Sequence, residues 1–163
     1  MASWRDIEAA APEFAAAARA FLDAHQHKTI ATLRRDGSPR ISGTEATFVD
    51  GDLWWGSMPN AVKAIDLQRD PRFALHSGSD DPPAWKGDAK VSGRAVEVHD
   101  REAAKALVRA QGNDPEGEAF TEFHLFRADI SEVALVRLAE SGDKLIVESW
   151  VEGRTPALRR IER

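Results

Sequence analysis

Cysteine is missing from the chain altogether. That absence excludes disulfides, thiolate metal sites, thiol redox chemistry and cysteine nucleophiles. No apolar run is long enough to span a bilayer, and the N-terminus shows no basic leader followed by an apolar core. Together these predict a soluble, cytoplasmic protein without membrane contact. Basic residues are in the minority: 22 Lys and Arg against 27 Asp and Glu leave a net charge of −5. A general nucleic-acid binder carries a basic footprint, so nucleic acid is not the expected partner. A local basic pocket for an anionic small molecule remains compatible with this balance.

What is present fits one domain over 1–163, with 1–26 as an N-terminal helical extension. Ser3 caps a first helical turn, with Asp6 three residues on as in a capping box. Pro12 suits the first turn of a second helix running to about Ala24. Its Phe14, Ala17, Ala18, Phe21 and Leu22 recur at helical spacing and predict a buried stripe. His25 and His27 have no third ligand nearby in sequence and read as helix-end histidines rather than a metal site.

The stretch 28–77 is the most informative. β-Branched residues predict a strand over 29–33. Asp36-Gly37 makes a hairpin turn, and Pro39 opens the next strand without having to donate a ladder bond. A strand over 40–49 would place Arg40, Ser42, Thr44, Ala46 and Phe48 on one face. Asp50-Gly51 then turns into a strand over 53–58 that carries Trp54, Trp55 and Met58. Asn60 is a good N-cap for a helix over 61–69, which puts Lys63 in its first turn. A cation there opposes the helix dipole by ~0.3–1 kcal/mol unless compensated. A phosphate held jointly by the exposed N–H groups and the ammonium would compensate; a lysine turned into solvent is the alternative. Asp70-Pro71 ends the helix, because the residue before proline avoids helical backbone.

Further strands are predicted over 72–77, 88–98, 130–138 and 144–151. The loop 78–87 carries a lone aromatic, Trp85, suited to a ligand lid or a subunit contact. Gly93 in mid-strand predicts a bulge or a close backbone approach. Asp100 caps a helix ending near Gln111. Phe120, Phe123 and Phe126 read as core, and the basic tail RTPALRRIER as a surface segment. Six or seven antiparallel strands with peripheral helices describe a mainly β (α+β) barrel rather than βαβ units.

The hairpin ATLRRDGSPR, the tripeptide SGT, the strand WWGSM and above all NAVKAIDLQRDPRFAL follow one another in an order that resembles the pyridoxamine 5'-phosphate oxidase-like family. The resemblance runs from His27 to Val98. It implies a split barrel that binds FMN or a deazaflavin, acts by hydride transfer to or from a small molecule, and forms a homodimer with cofactor sites at the interface. It further implies Lys63 as the phosphate-binding lysine, Ser57 as a hydroxyl contact, and Arg40 as a phosphate ligand. Asp88 and Lys90 would lie near the ring. Ser42, Thr44, Trp55, Met58 and Asn60 complete the candidate contacts, with Trp85 or the 120–126 segment as contributions from the second subunit. No acid–base pair stands out as catalytic, and none is required where the cofactor carries the chemistry.

Two departures stand out: Glu45 replaces a lysine of the vitamin B6 oxidases, and Val62 replaces their second phosphate arginine. The resemblance therefore does not carry vitamin B6 oxidation over. An FMN-dependent oxidoreductase is the first expectation, and a coenzyme F-420-dependent reductase the alternative. A third is a non-enzymatic flavin or haem binding protein, with His76 or His124 as the axial ligand.

Overall fold

In the computed structural model, which describes residues 1–117 and 122–163, the strand predicted over 40–49 breaks at Glu45. Its first part, β2 (Pro39–Thr44), pairs antiparallel with β1 (Lys28–Leu33), setting Thr44 opposite Lys28. Its second part, β3 (Ala46–Val49), pairs instead with β4 (Asp52–Ser57), setting Ala46 opposite Trp55. The two parts bond to different partners, so the ladder must be interrupted between them. The predicted alternation survives the corner: Thr44 and Ala46 are buried, while Ile41 is 74 % exposed.

β5 (Arg72–His76), β6 (Gly87–Glu97) and β7 (His124–Leu138) complete the path β2-β1-β5-β6-β7-β4-β3, with every pairing antiparallel. Its two end strands are joined through Glu45 alone. One residue reaches only a few ångströms, so the sheet must curl until its ends meet. The result is a split barrel, open at that corner. β8 (Leu145–Val151) and β9 (Leu158–Glu162) extend the sheet from β7. Among the described residues there are thus nine strands rather than six or seven. The break at Glu45 adds one, and the basic tail adds the other by pairing with β8.

Gly93 marks a register shift in β6, and a Cβ there would lie 2.1 Å from the Asp129 carbonyl oxygen. The expected close backbone approach is what requires glycine.

Helices cover one side of the barrel. Ser3 and Asp6 form a reciprocal capping box for α1 (Trp4–Ala10), and α2 (Pro12–Asp23) buries Phe14, Ala15, Ala18 and Leu22. Both helices share the barrel core, where Trp4 lies 4.8 Å from Phe48, and Trp55 lies 5.0 Å from Phe73. Short α3 (Val62–Arg69) and α4 (Arg101–Ala110) flank the open corner. Among the described residues no helix is long and apolar enough to cross a membrane.

Phe126 is buried in the core, as expected, but Phe123 is only half-buried, and Phe120 lies outside the described residues.

Candidate functional site

Where β2 breaks from β3, the end of β4, the start of α3 and one face of α4 enclose a cleft of about 500 Å³. Chain geometry at the end of β4 sets its floor. Pro59 and Asn60 occupy a tight turn closed by the Ala61 N–H donating to the Met58 carbonyl at 3.0 Å. Asn60 has φ +61°, a left-handed conformation that Asn tolerates better than other non-glycine residues. It therefore serves as the turn residue and not as the expected N-cap. Ala61 holds that position and contributes no side-chain bond. The first N–H groups of α3 thus lack a side-chain cap, a polar end that an anion can satisfy.

Lys63 sits in that first turn, half-buried, and its Nζ donates to the Gly43 carbonyl at 2.6 Å. Burial pushes the ammonium below its ordinary pKa, while the nearby Glu45 carboxylate pulls it back up. Thr44 and Ser57 also line the cleft, each 5 % exposed. Their hydroxyls are buried and have no hydrogen-bond partner among the described residues. An unsatisfied buried hydroxyl costs ~1–3 kcal/mol, so two of them beside a half-buried ammonium mark a place suited to a polar ligand.

The opposite wall is apolar. Leu107 and Val108 of α4 line it together with Met58 and Phe123. A Cβ on Gly56 would lie 3.1 Å from the Phe123 ring, so glycine there lets the ring settle over β4. Gln111 at the end of α4 donates its Nε2 to the Glu45 carbonyl at 3.1 Å. This bond satisfies a carbonyl at the corner where the ladder is interrupted. The Glu45 carboxylate accepts from Gln26 Nε2 at 3.1 Å and stands 3.6 Å from His27 Nδ1.

Four of the residues expected from sequence therefore meet here: Lys63, Ser57, Thr44 and Met58. The others do not line the cleft. Arg40 turns to the far side of α3, where its Nε donates to Asp66 at 2.6 Å. There it borders a separate depression with Arg34, Arg35 and Arg69. Ser42 is half-buried within β2. Trp55 is fully buried against Phe73 and Phe126, so it is core and not a cofactor contact. Asp88 and Lys90 pair with each other on the sheet face opposite the buried Ala89 and Val91. Trp85 stays half-buried in its loop.

Neither candidate haem ligand reaches the cleft. His124 Nδ1 lies 2.7 Å from Glu97, and His76 Nδ1 lies 2.6 Å from the Ser77 carbonyl. Sequence reading did not place His27, Leu107, Val108 or Gln111 at the site; it marked Glu45 only as a departure from the family, and Phe123 only as core or within a segment offered by the second subunit. The apolar stripe of α4 was the one available signal, and it does not say which surface it covers.

The chain resembles a conserved hypothetical protein from Mycobacterium tuberculosis at 20 % identity, covering 70 % of this chain and 78 % of that one, TM-score 0.58. It resembles a heme binding protein from Mycobacterium smegmatis at 19 % identity, covering 88 % of this chain and 55 % of that one, TM-score 0.61. A putative pyridoxamine 5'-phosphate oxidase from Listeria innocua is 18 % identical, with 72 % of this chain and 93 % of that one covered, TM-score 0.58. At these identities the likeness establishes the fold. No curated protein matches the sequence. The profile of the pyridoxamine 5'-phosphate oxidase family matches residues 14–137. With the split barrel and its corner cleft in place, this chain belongs to the pyridoxamine 5'-phosphate oxidase family.

Proposed function

We propose that the protein is an oxidoreductase that binds FMN in the corner cleft and acts on a small molecule. The observation carrying this reading is the half-buried Lys63 ammonium beside the unpartnered hydroxyls of Ser57 and Thr44. Lys63 would neutralise the phosphate, the open first turn of α3 would donate backbone N–H groups to it, and the two hydroxyls would gain acceptors. Met58 and Phe123 offer apolar surface for a flat ring system. FMN supplies the hydride-transfer chemistry, and the chain's part is to bind, orient and shield.

The working unit in this reading is a homodimer. Supporting it, Met58 at the cleft rim is 78 % exposed, Val62 53 % and Ile65 46 %, and Ile41 stands out from the outer face of β2. A second subunit covering such side chains would also close the open side of the cleft.

A specific observation favours coenzyme F-420 as the second reading. Among the described residues lining the cleft, Lys63 is the only lysine or arginine, since Arg40 is engaged by Asp66. One ammonium matches the single charge of a phosphodiester better than a phosphate monoester, which carries ~1.5–2 charges at neutral pH.

The test is the visible spectrum of the purified protein, followed by titration with FMN, F-420 and haem. Flavin-type bands with micromolar FMN binding support the first reading. Tight F-420 binding without FMN binding supports the second. A Soret band, or no binding of any of the three, overturns both. A bound flavin that no reductant or nicotinamide donor can reduce would speak for storage over catalysis.

A further inference from the structure

Glu45 stands at the corner that defines the cleft, with its carboxylate beside Gln26 and His27. We propose that Glu45 makes the cleft selective for substrates that carry a protonated amine on an apolar body. The inference rests on the reading of the corner cleft as the active site.

The charge pattern comes first. Among the described residues lining the cleft, Lys63 and Glu45 are the only lysine, arginine, aspartate or glutamate. The two do not cancel by direct pairing, because Lys63 Nζ donates to the Gly43 carbonyl at 2.6 Å. The cleft is therefore bipolar, with one position for an anion and one for a cation.

The carboxylate is also held and accessible. Gln111 fixes the Glu45 carbonyl at 3.1 Å, and Gln26 donates to Oε2 at 3.1 Å. The other oxygen, Oε1, faces His27 Nδ1 at 3.6 Å, beyond ordinary hydrogen-bond length, and the side chain keeps 36 % of its exposure. Oε1 thus retains room for a donor from a ligand. An ammonium placed there forms a charge-assisted hydrogen bond, whereas a carboxylate or phosphate meets like charge. Leu107, Val108 and Phe123 line the same cleft and offer surface to the apolar part of such a molecule.

The test uses two probes of similar size and opposite charge, benzylamine and benzoate. Each is titrated calorimetrically at neutral pH into the full-length protein, with and without saturating cofactor. With the Lys63 position filled by saturating cofactor, or by inorganic phosphate where no flavin is added, the wild type is expected to bind benzylamine about tenfold more tightly than benzoate. Glu45→Gln should abolish that preference, and Glu45→Lys should reverse it. Glu45→Asp keeps the charge and should keep the preference, which separates charge recognition from loss of folding. Equal binding by the wild type, or a preference that survives Glu45→Gln, overturns the proposal. The cofactor titrations report separately. A Glu45-dependent preference without flavin binding leaves this inference standing and defeats the flavin reading. Flavin binding without any preference does the reverse.

Discussion

Arg40 Nε donates to Asp66 Oδ2 at 2.6 Å, joining β2 to α3 through a carboxylate that is 2 % exposed. Thr32 Oγ1 reaches the same oxygen at 3.0 Å from β1, and Arg69 Nη2 reaches Oδ1 at 2.9 Å. Arg69 also donates to the Leu33 carbonyl. One buried carboxylate thereby ties the helix that carries Lys63 to two strands of the barrel.

Removing that carboxylate strands two partly buried guanidinium groups. Asp66→Ala is expected to cost about 2–4 kcal/mol of folding free energy, somewhat less than for fully buried pairs, because the arginines keep contact with water. Urea denaturation measures it. A loss under ~1 kcal/mol would mean that packing alone holds α3 in place.

The same carboxylate makes stability depend on pH. Burial pushes the Asp66 carboxyl up, but hydrogen bonds from Arg40, Arg69 and Thr32 outweigh it and hold the group below its ordinary 3.8. A folded pKa below the unfolded one gives stability that is complete above the ordinary value and is lost as pH falls through the folded one. Asp70, held to about 2 by Arg72, adds to the same acid limb. Unfolding free energy should therefore be flat above about pH 5 and fall below 3.8. Asp66→Asn should flatten that limb, and an unchanged acid profile in the variant would count against the network.

Lys63 titrates in the opposite sense. Its ammonium, lowered by burial, loses its proton at a pH below the ordinary 10.5. Anion affinity should be full at neutral pH and decline as pH rises through that lowered value. Lys63→Ala should weaken cofactor binding by roughly 1.5–3 kcal/mol and remove the alkaline decline. Fluorescence titration across pH reads both, and unchanged affinity would mark the lysine as merely solvated.

Gly93→Ala tests the bulge in β6. The new methyl would meet the Asp129 carbonyl oxygen at 2.1 Å, a backbone atom with no rotamer to change. The expected loss is about 2–4 kcal/mol, seen as a lowered melting temperature. Gly142→Ala is the useful contrast, since its cost comes from φ +75° in open space and should be about 1 kcal/mol.

Gln111→Ala removes the donor to the Glu45 carbonyl. The direct cost is small, about 0.5–1.5 kcal/mol. Amide exchange at the C-terminal end of α4 should rise selectively. No change there would show that Leu107 alone seats the helix.

Local pattern made most of the elements readable. Asp36-Gly37 and Asp50-Gly51 placed two hairpin turns, the spacing of Phe14, Ala18 and Leu22 placed α2, and Gly93 announced its bulge. Lys63 was legible as a candidate because its cost in a first helical turn is itself a local fact. The misreadings have separate physical causes. Asn60 looked like an N-cap because cap and left-handed turn residues draw on the same side chains. Trp55 entered as a candidate contact through the family resemblance, and strand alternation by itself cannot say which face meets the core.

By itself, then, the sequence determined the antiparallel β-rich class and the turns, and singled out a lysine in a first helical turn, because each depends on residues a few positions apart. Tertiary structure alone decided that the strand over 40–49 would divide at Glu45, that Asp66 would hold Arg40 away from the cleft, and that α4 would wall it. Those outcomes depend on partners far along the chain: Gln111 and Glu45 are 66 residues apart, and Arg40 and Asp66 are 26 apart. Only the closing of the sheet brings them within hydrogen-bonding reach.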